Sequence, residues 1–257
     1  MSVLPLAVET GTEPSTPSAD VLYVADVFGP TFQGEGPSTG RLALFVRLGG
    51  CNLHCRWCDT GFTWDASRWD LREQIHPVPW QRVAERLAAA APAGEVPLLV
   101  VTGGEPLGHQ GRPAFRSLLA AAADLGMDIE VETNGTRIPA PDLPGDPVYN
   151  VSPKLAHAGD PAELRIRAPA LAAFRDLAEQ GRARFKFVVE TVEQLDEVGG
   201  IVADHRLPAG TVWVMPEGTD ARTVIDRGRA LADPVLARGW HLTVRLHTLL
   251  WGEERGR

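Results

Sequence analysis

The three cysteines of the 257-residue chain fall together as Cys51-Asn-Leu-His-Cys55-Arg-Trp-Cys58. Thiolates are soft ligands that select zinc or iron–sulfur clusters. Three of them on one tight loop can hold three irons of a four-iron (4Fe-4S) cluster and leave the fourth iron without a protein ligand. Such an open corner suits chemistry on a bound molecule and adds nothing to a scaffold. A structural zinc site is the competing use, but those sites are closed and four-coordinate, usually with paired ligand clusters. His54 is available as a fourth ligand, yet it lies too close in sequence to sit comfortably with all three thiols. No second Cys or His cluster with zinc spacing occurs. An odd, clustered set builds no disulfide framework, and a reducing cytoplasm is its natural compartment.

The elements that must position this loop read as repeated β/α units. Apolar, β-rich runs occur at Ala43–Leu48, Leu98–Thr102, Ile129–Thr133, Val148–Val151, Phe185–Val189, Val212–Met215 and Leu242–Leu246. Several are apolar at consecutive positions, as strands buried on both faces are. Helical spacing and good helix formers lie between most of them, at Trp80–Ala91, Ala114–Leu125, Ala162–Gln180, Val192–His205 and Ala221–Arg238. Asp220 and Thr191 are candidate caps, and the Pro- and Gly-rich connection from Asn134 to Pro147 predicts no full helix. Alternating β and α predicts an α/β fold with mostly parallel strands. Seven strands with one missing helix predict an incomplete (β/α) barrel. In such folds chemistry gathers at the carboxyl ends of the strands. Here those ends read GGCNLHC, TGGEP, ETNGT, VSPK, VVE and MPEG.

Composition sets the frame. With 44% hydrophobic and 23% charged residues the chain supports one sizeable core, so a single domain over 21–257 is expected. Residues 1–20, rich in Ser, Thr, Pro and Glu, read as a flexible arm and not as a secretion signal. A formal net charge of −8 disfavours nucleic acid as a partner. No apolar run approaches the ~18 residues of a membrane span.

The Cys-x3-Cys-x2-Cys loop after a first barrel strand resembles the signature of the radical S-adenosylmethionine (radical SAM) superfamily. The resemblance implies that the open iron chelates S-adenosylmethionine and that cleavage of the sulfonium yields a 5′-deoxyadenosyl radical. It implies a cofactor-binding set of Trp57, Cys58, Asp59, Gly104, Glu105, Glu132, Asn134, Ser152, Pro153, Lys154, Met215, Pro216, Glu217 and Gly218. Within that set Glu105 of Thr102-Gly-Gly-Glu-Pro106 offers an acceptor for the methionine ammonium, and the Gly pair permits close backbone approach. Ser152 and Lys154 supply a hydroxyl and a cation suited to a carboxylate. Plain turn chemistry is the alternative for Asn-Gly and Ser-Pro.

The segment Val27–Gly36 (VFGPTFQGEG), with Arg47, Cys58-Asp59-Thr60 and Phe62-Thr-Trp-Asp65, is similar to the 7-carboxy-7-deazaguanine synthase family over roughly 21–250. That family makes 7-carboxy-7-deazaguanine from 6-carboxy-5,6,7,8-tetrahydropterin, with ring contraction and loss of ammonia, in queuosine and 7-deazapurine biosynthesis. The resemblance implies substrate contacts from Phe32, Gln33, Gly34, Glu35, Arg47, Thr102 and His247. It implies Mg2+ at Thr60, whose alternative role is a hydroxyl that satisfies the loop backbone. It further implies a flavodoxin or ferredoxin electron donor and a homodimer. No residue is assigned a catalytic role beyond the cofactor-derived radical, and Trp64, Trp69 and Phe62 read as loop packing.

Two departures stand out. Met215 occupies a position where relatives commonly carry Gln. The segment after His247 runs on as far as Arg257, which puts the terminal-carboxylate contact that the resemblance implies in doubt, with Glu253 the candidate stand-in. The rival enzyme class is a glycyl-radical activating enzyme, which shares the cysteine loop but acts on a protein. A non-enzymatic iron–sulfur or zinc module needs neither TGGEP nor ETNG.

Overall fold

A computed structural model describes residues 19–93, 95, 97–252 and 254–256. Residues 1–18 of the arm expected at 1–20, and the Glu253 contact, lie outside the described residues. The strands are β1 (Val21–Phe32), β2 (Leu42–Leu48), β3 (His76–Pro79), β4 (Leu98–Gly103), β5 (Ile129–Thr133), β6 (Val148–Val151), β7 (Ala183–Val189), β8 (Val212–Pro216) and β9 (His241–Leu242). The helices are α1 (Leu71–Gln74), α2 (Trp80–Ala90), α3 (Pro113–Asp124), α4 (Ala162–Arg165), α5 (Ala168–Glu179), α6 (Gln194–Asp204), α7 (Ala221–Ala237) and α8 (Leu246–Trp251). The nine strands among the described residues form one sheet in the order β3-β1-β2-β4-β5-β6-β7-β8-β9. From β2 to β9 the neighbours are parallel, while β1 pairs antiparallel with both β2 and β3. The sheet is thus an open, mostly parallel barrel wall. Among the described residues no helix is long and apolar enough to cross a membrane.

Alternation along each strand divides the side chains between two faces. Leu44, Val46 and Leu48 of β2 join Leu99, Val101, Phe115 and Leu118 in the core between sheet and helices. Phe45 belongs to a smaller inner cluster with Phe28, Ala43, Leu98 and Val100, in which the Phe28 and Phe45 rings stack 4.8 Å apart.

Several sequence expectations shift. The antiparallel β1 and β3 were not expected. Gly29-Pro30 breaks the apolar pattern of β1, and the β1–β2 register slips between Phe28 and Thr31, an irregularity where a sheet tolerates proline. The helix expected over Ala162–Gln180 is two helices. Pro169, near the start of α5, lacks an amide donor, and in a continuous helix its ring would crowd the carbonyl four residues back, at Arg165. Asp220 caps α7 by accepting from the Thr223 amide, but Thr191 caps nothing. Glu193 occupies the cap position before α6 without a side-chain cap bond, and the Gln194 side chain accepts from the Glu190 amide at 2.7 Å. The last strand ends at Leu242 rather than Leu246, because the chain turns away to bond the loop after β1. The Leu246 amide donates to the Gly34 carbonyl at 2.8 Å, and the Gly36 amide donates to Thr243 Oγ1 at 3.0 Å.

Candidate active site

A cavity of about 550 Å³ opens at the carboxyl ends of the parallel strands. One parity of the pleat supplies most of its strand wall. Arg47 of β2, Thr102 of β4, Glu132 of β5, Asn150 of β6, Lys186 and Val188 of β7, and Met215 of β8 all line it, as does Ser152 just past β6. Strand register sets their heights, with Arg47 level with Thr102, Glu132 with Asn150, and Val188 with Met215. The end of β1 supplies Phe32, α8 supplies His247, and loops supply Gln33, Gly34, Glu35, Cys51, Cys55, Trp57, Cys58, Asp59, Thr60, Gly104, Asn134, Lys154 and Glu217. Of the expected site residues, Glu105, Pro153, Pro216 and Gly218 do not line it.

The cysteine loop rests on the loop after β4. The Gly104 amide donates to the Leu48 carbonyl at 3.0 Å, and the Glu105 amide to the Gly50 carbonyl at 2.8 Å. A Cβ on Gly104 would lie 2.0 Å from the Gly50 oxygen. The glycine pair therefore serves close packing of two loops, a need that ligand approach alone does not explain. Below them His109 Nε2 donates to the Gly49 carbonyl at 2.9 Å. Burial lowers the His109 pKa, which favours the neutral ring.

All three sulfurs face the cavity, half-buried. Burial pushes the Cys51 thiol up to about 11 and raises Cys55. A bound metal reverses that, since its ligands must be thiolates. His54 is turned to other partners, with Nδ1 3.6 Å from Asp160 and its ring edge-on to Trp64. The donor set thus fits a cluster with one open corner. The Trp64 indole N–H, read as loop packing, donates to Cys58 Sγ at 3.3 Å.

Glu105 differs most from expectation. Its carboxylate accepts from the Leu107 amide at 2.9 Å, Thr133 Oγ1 at 2.8 Å and the Asn134 amide at 2.7 Å. It ties the turn after β4 to the end of β5, behind the cavity wall. Burial raises its pKa against those three donors. Asn134 does reach the cluster loop, where its Nδ2 donates to Asn52 Oδ1 at 3.1 Å. Lys154 donates to Ser152 Oγ at 2.9 Å and lies over the Trp57 ring, 5.3 Å from its centroid. Glu217 is held by Arg227, and the Gly218 carbonyl accepts from Arg245 Nη1 at 2.8 Å.

Across the cavity a second cluster forms. Thr102 Oγ1 donates to Glu132 Oε2 at 2.7 Å, and Gln33 Nε2 donates to Glu132 Oε1 at 3.1 Å. Glu132, expected on the cofactor side, therefore shares its partners with residues expected on the substrate side. Gln33 also donates to Glu130 behind it, so its amide orientation is set from within the protein. Glu35 is bonded by Lys186 and by Arg245 Nε, the latter at 3.2 Å. Burial alone would raise the Glu35 carboxyl, but Lys186, Arg245 and His247 together hold it well below the usual carboxylate range. Arg245 also bonds Asp59. His247 packs against Gly34, whose Cβ would lie 2.0 Å from Nδ1; burial lowers the His247 pKa although Glu35 opposes the shift. Arg47 lies 3.6 Å from Asp26 and over the Phe28 ring. Phe32 stacks on Trp251, 6.2 Å between centroids.

Lys186 and Arg245 are among the site residues that sequence reasoning missed. Each had a signal. Lys186 interrupts the apolar run FKFVV, and Arg245 interrupts LTVRL, where an unpaired charge would be costly.

An open α/β wall with three cysteines after its first parallel strand defines the site of a radical SAM enzyme, and the radical SAM superfamily model matches residues 45–221. The "7-carboxy-7-deazaguanine synthase" of Pyrobaculum aerophilum is 36% identical over 95% of this chain and 99% of its own length. That of Hyperthermus butylicus is 35% identical over 90% of this chain and 93% of its own. The chain belongs to the 7-carboxy-7-deazaguanine synthase family of radical SAM enzymes. In fold it is similar to the crystal structure of QueE from Escherichia coli, with a TM-score of 0.64 and 23% identity over 88% of this chain and 95% of that one. Membership implies a 4Fe-4S cluster and S-adenosylmethionine as cofactors.

Proposed function

We propose that this enzyme converts 6-carboxy-5,6,7,8-tetrahydropterin to 7-carboxy-7-deazaguanine and ammonia. The observation that carries the reading is the polar cluster of Gln33, Glu35, Thr102 and Glu132 in the same cavity as the three cysteines. A pterin presents an amino group and ring N–H donors along one edge, and ionised carboxylates accept from such an edge. Lys186 and Arg245 keep Glu35 ionised for that purpose. Arg47 lies at the same level of the wall as Thr102, where a guanidinium suits the substrate carboxylate.

Cys51, Cys55 and Cys58 would hold the cluster, which when bound would supply the electron for reductive cleavage of S-adenosylmethionine to methionine and a hydrogen-abstracting species. The protein's part is to hold the pterin edge-on to the carboxylates and to keep solvent from the reacting atoms. Lys154 and Ser152 suit the methionine carboxylate, and Trp57 and Met215 give apolar surface beside it. Thr60 offers an oxygen to Mg2+, a hard cation that usually keeps substrate or water oxygens as its other ligands. We extend the reading to a flavodoxin or ferredoxin donor, a homodimer and a reducing cytoplasm.

The test is incubation of reconstituted enzyme with the carboxy-tetrahydropterin, S-adenosylmethionine, Mg2+ and reductant under nitrogen. The expected product has the substrate's mass less one ammonia. Formation of 5′-deoxyadenosine with the pterin recovered unchanged would sink the substrate assignment while keeping the radical chemistry.

A further inference from the structure

β9 is one edge of the sheet, and a short seam links the chain beyond it to the chain beyond β1. The segment after β9 meets the segment after β1 through the Leu246–Gly34 and Gly36–Thr243 bonds. Arg245 lies at the centre of this seam, buried, with its guanidinium spread over three acceptors. Nε bonds Glu35 at 3.2 Å, Nη1 bonds the Gly218 carbonyl at 2.8 Å, and Nη2 bonds Asp59. These acceptors come from three separate loops: the FQGEG turn after β1, the Cys58-Asp-Thr end of the cysteine loop, and the MPEG turn after β8.

A planar fork with several fixed donors can hold three such groups at once, and a point charge cannot. Resting on the function proposed above, we infer that Arg245 is a positioning residue that holds the substrate-reading Glu35 in register with the cysteine-loop end at Asp59 and the turn at Gly218. Lys186 grips the same Glu35 from β7. It fixes the carboxylate to the wall, whereas Arg245 fixes it to the other two loops. Loss of the fork leaves Glu35 near the wall and frees the substrate side from the cofactor side. Pterin binding then weakens, and radical generation proceeds without matched turnover.

The test compares reconstituted holoenzyme with its Arg245→Met and Arg245→Lys variants. Four quantities are read: iron per chain, calorimetric affinity for the carboxy-tetrahydropterin with S-adenosylmethionine present, 5′-deoxyadenosine released per product formed, and hydrogen exchange over residues 34–36 and 59–60. Iron content should match the parent, because none of the three acceptors is a cysteine. Pterin affinity should fall about tenfold or more in Arg245→Met, as for truncation of a buried charged partner. The 5′-deoxyadenosine-to-product ratio should rise, and Arg245→Lys should lie between the two. In a Glu35→Gln background the added loss from Arg245→Met should shrink to less than about threefold, the sign of a shared interaction.

Parent-like affinity and ratio in Arg245→Met would overturn the inference, as would an undiminished loss in the Glu35→Gln background. If Arg245→Met does not fold, Arg245→Lys carries the same readouts. A parent enzyme that ignores the pterin sinks the proposed substrate instead. The seam is then judged by exchange alone: faster exchange at both segments supports it, and unchanged exchange refutes it.

Discussion

Thr60 Oγ1 lies 3.5 Å from Cys58 Sγ. The loop backbone around Thr60 is tied by its carbonyl, which accepts from the Thr63 amide at 2.9 Å and from Thr63 Oγ1 at 2.8 Å. The hydroxyl thus meets a sulfur and the cavity rather than the backbone. Thr60→Ala should therefore weaken the response of turnover to Mg2+ and leave cluster content intact. Activity titrated against Mg2+ in both proteins checks this, and an unchanged half-saturation point would remove Thr60 as a ligand.

Cys55→Ala should abolish cluster assembly and turnover while the fold survives. A half-buried loop thiol contributes little packing, so an effect on stability of no more than about 1 kcal/mol is expected. Iron analysis and visible absorbance report the cluster, and circular dichroism reports the fold. Retained activity would refute the cluster assignment.

Gly104→Ala should damage the joint between the loops after β2 and β4. The added methyl would overlap the Gly50 carbonyl, and overpacking of this kind costs about 1–3 kcal/mol. Denaturant unfolding of the cluster-free protein should show that loss. Iron binding after reconstitution should fall with it, because the displaced backbone leads directly into Cys51. Unfolding at the parent midpoint with full iron loading would show that the two loops have room to separate.

His109 sets a pH dependence with a definite sign. Burial lowers its pKa in the fold, and Nδ1 has no hydrogen-bond partner. As pH falls through about 6.5, the unfolded chain takes up a proton at this position before the folded chain does. Its contribution to stability is thus complete above that pH and declines below it. His109→Gln keeps a donor for the Gly49 carbonyl and does not titrate. Between pH 7.5 and 5.5 the parent should lose more melting temperature than the variant, and equal losses would mean that His109 charges freely in the fold.

Local order supplied much of this protein. Cysteine spacing fixed the metal chemistry, because three thiolates within one short loop have few other uses. Apolar runs divided by helical spacing were enough to draw the six strands β2 and β4 to β8, while the seventh expected strand meets β9 only at Leu242, since buried parallel strands and amphipathic helices leave distinct periods in a chain. The strand ends TGGEP, ETNG and VSPK marked the face where chemistry sits.

Only the tertiary structure decided which of those residues meet. Glu105 turned into the wall because three donors from two loops converge on it, and no local pattern encodes that convergence. Glu132 met Thr102 because strand register sets neighbours across a sheet, and it met Gln33 because the turn after β1 folds back over the wall; both depend on pairing between distant segments. Lys186 and Arg245 stayed hidden in apolar runs, since a buried cation is explained only by the carboxylates that other loops bring to it.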